Sequence, residues 1–151
     1  AAQAFENADV DAVDISADAL AVARRNVDEY GLDARVSLYE GDLYAPLPPA
    51  RYEVIITNPP YVNAQAMQAL PEEYRHEPEL ALAGGADGMD VVRRIVRDAR
   101  KWLTEDGVLV VEIGNERPNV EAALGGLDLV WLSTSAGDDN VFLIQAADLP
   151  A

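Results

Sequence analysis

The sequence predicts an α/β fold with a mostly parallel sheet that ends in an antiparallel pair. Strand-like and helix-like segments alternate along the whole chain, the pattern of layered α/β domains. The runs Glu53–Thr57 and Val108–Ile113 are rich in β-branched residues, as strands buried on both faces are. The last two strand-like segments are joined by a polar loop with no helix between them, which suits an antiparallel return.

In order, Val10–Ile15 reads as a short strand. Ser16 then caps a helix that runs to about Tyr30, with Ala19, Leu20, Ala23 and Val27 at helical spacing and Gly31 as its stop. Arg35–Glu40 is the next strand and ends in the turn Gly41-Asp42-Leu43. Glu53–Thr57 follows as a central strand. Asp87 or Gly88 opens a helix to about Leu103, closed by the turn Thr104-Glu105-Asp106-Gly107. Val108–Ile113 is a buried strand, followed by a helix near Asn119–Leu124. Leu127–Ser133 and Val141–Gln145 form the final pair across the loop Thr134–Asn140. Trp102 and Trp131 fall on apolar faces and are expected in the core.

One stretch breaks this rhythm. Pro59, Pro60, Pro71 and Pro78 interrupt any long helix or strand between residues 59 and 86. So long a connection reads as a substrate-binding loop.

Composition narrows the function classes. A chain of 151 residues suits one domain with a sizeable core. Against 27 Asp and Glu there are 11 Lys and Arg, a net charge of −16. That sign opposes a free-standing binder of nucleic-acid phosphates and favours a basic protein partner; an acidic surface kept for solubility is the alternative. No apolar run approaches the length of a membrane span, and the first residues lack the basic and apolar regions of a signal peptide. With no cysteine and one histidine, neither disulfides nor a cysteine- or histidine-based metal site is expected. A cytoplasmic setting follows as an expectation.

The most informative residues are Asn58-Pro59-Pro60-Tyr61, at the carboxyl end of a predicted strand, where ligands of open α/β sheets collect. Asn58 offers a side-chain carbonyl. Pro59 and Pro60 offer backbone carbonyls without a competing N–H, and Tyr61 offers an aromatic face. Such a set can hold an –NH2 group by its hydrogens, as transfer of a group to an amide or an exocyclic amine requires.

This order of elements and this tetrapeptide resemble the class I S-adenosylmethionine-dependent methyltransferases, a Rossmann-like α/β fold. Downstream, Leu70-Pro-Glu-Glu-Tyr-Arg-His-Glu-Pro-Glu-Leu-Ala-Leu82 and Gly84-Gly-Ala-Asp-Gly-Met-Asp90 resemble the HemK-type protein-glutamine N5-methyltransferases. The Glu-Tyr-Arg-His-Glu-Pro-Glu-Leu spelling is most similar to the branch acting on large-subunit ribosomal protein three. Against the family pattern, the first strand and its glycine-rich cofactor loop have no counterpart here. The expected organisation is a single catalytic domain over residues 1–151, truncated at its amino terminus. Its sheet would then have a gap where the family's first strand lies between the second and fourth. Asn140 stands where the family has a glycine before Val141-Phe142, and a turn with positive φ is expected there.

The resemblance assigns roles by position. Asp14 would accept from the ribose hydroxyls of S-adenosylmethionine, with Ile15 beside it; the alternative is an aspartate serving the helix cap. Asp42 and Leu43 would contact the adenine; the alternative is an ordinary turn aspartate. Asn58, Pro59 and Tyr61 would be catalytic, with Asn58 also bordering the cofactor. Asn58, Pro59, Pro60, Tyr61 and Glu77 would hold the substrate, no metal is implied, and His76 is a loop hydrogen-bonding residue.

The activity so implied is N5-methylation of a glutamine side chain in a basic ribosomal protein. Direct nucleic-acid or membrane binding is not expected. A release-factor glutamine methyltransferase is the nearest alternative, and a stretch that does not bind cofactor by itself is another. DNA adenine-amino methyltransferases share the tetrapeptide, but the charge opposes them.

Overall fold

The computed structural model describes residues 1–62, 85–135 and 137–151. The chain divides into two compact units, Ala1–Ala50 and Arg51–Ala151.

The first unit is a β-α-β motif: β1 (Val10–Asp14), α1 (Ala17–Glu29) and β2 (Val36–Glu40). β1 and β2 pair in parallel, with Val10 opposite Val36 and Asp14 opposite Glu40. Ser16 caps α1 by accepting the Ala19 N–H at 3.2 Å, and Gly31 leaves the helix at φ +62°. Val27 is the one buried residue of α1. It packs with Ala2 and Val36, flanked by Val10, Leu32 and Leu38. The Arg35 guanidinium donates to the carbonyls of Ala2, Phe5 and Ala8, which holds the leading segment against the strand.

The second unit holds β3 (Tyr52–Thr57), α2 (Asp90–Ala99), β4 (Leu103–Glu112), α3 (Arg117–Ala123), β5 (Val130–Thr134), β6 (Gly137–Gln145) and a 3-10 turn at Ala146–Asp148. The strand order is β3-β4-β6-β5. β3 and β4 are parallel, whereas β6 runs antiparallel to both β4 and β5. Leu109 and Val111 on β4, and Ile113 just past its end, are fully buried at alternate positions. On the same face Phe142 lies opposite Val111, and Ile144 opposite Leu109. Val92, Ile95, Val96 and Ala99 line the buried face of α2 at the spacing of helical neighbours, and α2 packs on β4.

Several boundaries differ from those read in the sequence. The segment Leu103–Gly107 belongs to β4 and not to the end of a helix. Tyr52 pairs with Leu103 and Val54 with Val108, so β4 carries extra residues in a bulge. β6 begins at Gly137, so most of the expected loop Thr134–Asn140 is strand. The expected positive φ falls on Gly137, at +138°, and not on Asn140. Trp102 and Trp131 are half-buried and do not form the core. Among the described residues β3 is an edge strand that pairs with β4 alone, and Val54 and Ile56 are 46% and 59% exposed. The two sheets are thus a pair, β1-β2, and a quartet that begins at β3.

Candidate active site

Parallel strands end at the same edge of their sheet, and each unit presents such an edge. In the first unit Asp14 closes β1 and is exposed. Its Oδ1 accepts the Ser16 N–H at 2.8 Å, and its carbonyl accepts the Gly41 N–H at 3.0 Å. One carboxylate oxygen thus orders the turn into α1, in a side chain that faces solvent. Ile15 is 50% exposed.

The turn after β2 is held against Asp14 by that Gly41 bond and closed by the Ala45 N–H donating to the Asp42 carbonyl. A Cβ on Gly41 would come within 2.8 Å of Pro46, so the chain passes too close there for a side chain. Asp42 is exposed. Leu43 has φ +51°, the one non-glycine residue at positive φ among those described. Such backbone strain persists where the surroundings impose it. Asp14, Ile15, Asp42 and Leu43 are thus brought together at one edge.

In the second unit β3 delivers Asn58-Pro59-Pro60-Tyr61 directly past its carboxyl end. Asn58 is exposed, Pro59 is buried, and Pro60 and Tyr61 are half-buried. The buried ring of Pro59 anchors the turn while the Asn58 carboxamide faces outward. Tyr61 reaches the end of the neighbouring strand, where a Cβ on Gly114 would lie 2.9 Å from the tyrosine hydroxyl. Gly114, to which the sequence alone drew no attention, lies just past the end of β4, after Ile113.

Glu77, His76 and Pro78 lie outside the described residues. Of the glycine-rich segment, Gly85 to Asp90 are described. Gly85 at φ +91° lies against the Asp90 carboxylate, and Gly88 takes φ +82°. Asp87 accepts the Met89 N–H at 3.0 Å and is bridged to Arg93. Arg93 and that N–H hold the Asp87 carboxyl at about 2, below its usual range. The segment thus forms the entry to α2. Among the described residues no group of three or more potential metal-binding side chains gathers, and no helix is long and apolar enough to cross a membrane.

The family "Methyltransferase small domain" matches residues 1–74. A curated protein of Burkholderia pseudomallei, described as ribosomal protein uL3 glutamine methyltransferase, is 73% identical over 100% of this chain and 52% of its own length. The chain spans about half the length of the curated relatives it matches. A methyltransferase structure from Pyrococcus furiosus superposes with TM-score 0.67 at 16% identity, covering 96% of this chain and 66% of that one. A Streptococcus mutans structure in complex with SAH gives TM-score 0.61 at 14% identity, over 91% of this chain and 75% of that one. The relative's description coincides with the branch that the Glu-Tyr-Arg-His-Glu-Pro-Glu-Leu segment resembles. The chain is thus similar along its whole length to this curated relative and shares the fold of these methyltransferase structures.

Proposed function

We propose that the chain is the catalytic part of an S-adenosylmethionine-dependent protein-glutamine N5-methyltransferase whose substrate is large-subunit ribosomal protein three. The observation that carries this reading is Asn58-Pro59-Pro60-Tyr61 at the carboxyl end of β3, with Asn58 exposed and Pro59 buried beneath it. The description of the Burkholderia relative supports the choice of substrate.

The acceptors present suit the cofactor chemically. Asp14 and Asp42 offer carboxylates at one edge, suited to ribose hydroxyls and to the adenine amine respectively, with Ile15 and Leu43 as apolar neighbours. S-adenosylmethionine held there would supply an electrophilic methyl group to the glutamine nitrogen and would leave as S-adenosylhomocysteine, with the amide giving one proton to water.

The residues of the tetrapeptide orient the nitrogen. An amide nitrogen is a poor nucleophile because its lone pair is delocalised into the carbonyl. Asn58 Oδ1 and the Pro59 carbonyl each accept one amide hydrogen, which fixes the nitrogen and favours the positive charge it develops. Tyr61 adds its aromatic face to that stabilisation. Glu77 holds the peptide that bears the glutamine. No metal and no covalent enzyme intermediate take part.

The net charge of −16 favours a basic ribosomal protein as partner over nucleic acid, and the cytoplasm is where such a substrate is made. The test is to offer the intact enzyme ribosomal protein three and a release factor separately, and to locate the methyl group by peptide mass spectrometry. Methylation of a glutamine in the ribosomal protein is expected. Exclusive methylation of the release factor would overturn the choice of substrate.

A second reading rests on β3 pairing with β4 alone among the described residues: by themselves these 151 residues hold S-adenosylmethionine weakly or not at all. Tight binding in a calorimetric titration of this chain would exclude it.

A further inference from the structure

The Asn-Pro-Pro-Tyr turn does not stand alone at its sheet edge. Thr57 lies opposite Val111 in the parallel pair, so the chain leaving β3 and the chain leaving β4 emerge side by side. Past β4 the backbone makes a turn at Ile113–Glu116, closed by the Glu116 N–H donating to the Ile113 carbonyl at 3.2 Å. The Ile113 N–H donates to the Asn140 carbonyl on β6 at 2.9 Å, and the Ile113 side chain is fully buried. Arg117, the first residue of α3, pairs with Glu121 and with Asp139 on β6 and lies over the Trp131 ring. The turn is therefore pinned from the core, from β6 and from α3.

Gly114 sits in this pinned turn at φ +53°, and the Tyr61 ring rests on it. A Cβ added there would lie 2.9 Å from the Tyr61 hydroxyl, 3.2 Å from Cζ and 3.3 Å from Cε2. Real Cβ contacts are not that short, so one side must yield. The turn is held at several points, whereas the tyrosine can rotate about two side-chain bonds. The ring is the part that moves.

We propose that Gly114 is the positioning residue for Tyr61: its lack of a side chain is what lets the ring lie where the Asn58–Tyr61 site needs an aromatic face. The proposal rests on the function argued above for Tyr61. It assigns Gly114 no contact with substrate; its effect passes through the ring.

The test pairs Gly114→Ala with Gly126→Ala. Gly126 also has positive φ, +102°, but open space around the missing Cβ, so its substitution carries the backbone strain without the contact. In this chain with isotopically labelled tyrosine, Gly114→Ala should shift the Tyr61 ring resonance and Gly126→Ala should not. In the intact enzyme, Gly114→Ala should lower kcat for the glutamine substrate by about ten- to a hundredfold, the scale of small misplacements of a reacting group. The KM for S-adenosylmethionine should stay unchanged, and Gly126→Ala should retain kcat. Tyr61→Phe removes the nearest atom, so adding Gly114→Ala to it should cost less than adding Gly114→Ala to the unaltered chain.

An unmoved Tyr61 resonance in Gly114→Ala would overturn the seat. A moved resonance with kcat no lower than in Gly126→Ala would overturn its positioning role. If the unaltered enzyme methylates no glutamine, the proposed function fails, while the resonance still decides whether the seat exists.

Discussion

The guanidinium carbon of Arg117 lies 4.6 Å from the centroid of the Trp131 ring, so the first residue of α3 is stacked on strand β5. Trp131 in turn meets Phe142 edge-to-face at 5.5 Å, across the β5–β6 pair. The ion pairs of Arg117 to Glu121 and Asp139 complete a connection between helix, strand and hairpin. Arg117→Ala should destabilise the fold by about 1 kcal/mol, most of it from the stacked cation and little from the solvent-facing ion pairs. That corresponds to a fall in Tm of about 2–4 °C. Arg117→Lys should recover less than half of the loss, because an ammonium keeps the charge but not the planar stack. Thermal unfolding followed by tryptophan fluorescence measures both. Full recovery with lysine would show that charge alone sufficed.

Acid should weaken the entry to α2 in a defined window. The hydrogen bond from Arg93, aided by the Met89 N–H, lowers Asp87 from 3.8 to about 2. A carboxylate whose pKa is depressed in the folded state contributes stability above its unfolded pKa and loses it as pH falls through the folded one. The stability difference between the unaltered chain and Asp87→Asn should therefore be flat from neutral pH down to about pH 5, and should narrow as pH falls from 3.8 towards about 2. Asp98, lowered to about 2 chiefly by Arg97 and then by Lys101, should behave in the same way. Urea unfolding across that range is the measurement, and a difference independent of pH would refute the pairing.

What the sequence made legible was local. Ser16 before an apolar-periodic stretch and Gly31 after it bracket α1, and the β-branched runs give β3 and β4, because caps and periodicity act over a few residues. Asn58–Tyr61 was legible as chemistry because its groups are adjacent in the chain. The β4 bulge over Leu103–Gly107 was not, since polar turn residues inside a strand are explained only by the register with Tyr52 and Val54. Nor was the seat of Tyr61. More than fifty residues of chain separate it from Gly114, and only the parallel pairing of β3 with β4 brings the two together.

The open edge of β3 should make this chain self-associate. Val54 and Ile56 are exposed on one face of a strand that, among the described residues, pairs on one side only, and an apolar strand edge invites further strand pairing. Ile56→Lys adds a charge there and should shift the chain towards monomer in sedimentation velocity at equal concentration. Val130→Lys, at another exposed apolar strand residue, should change the distribution less. Equal effects would point to general solubility and away from the β3 edge.

Asn58→Ala should separate the two halves of the proposed chemistry in the intact enzyme. The Asn58 carboxamide is exposed past β3, while the carboxylates of Asp14 and Asp42 lie in the other compact unit. Removing one group that stabilises developing charge lowers turnover by about a hundred- to a thousandfold. That loss should fall on kcat for the glutamine substrate and leave cofactor affinity within about threefold, under 1 kcal/mol. Asp14→Ala should do the reverse, because its proposed contact is to the ribose and is the same before and during transfer. Calorimetric titration of cofactor and steady-state kinetics, run on both variants, give the comparison. If Asn58→Ala abolished cofactor binding as well, Asn58 would belong with the donor, and orientation of the amide would fall to the Pro59 carbonyl and Tyr61.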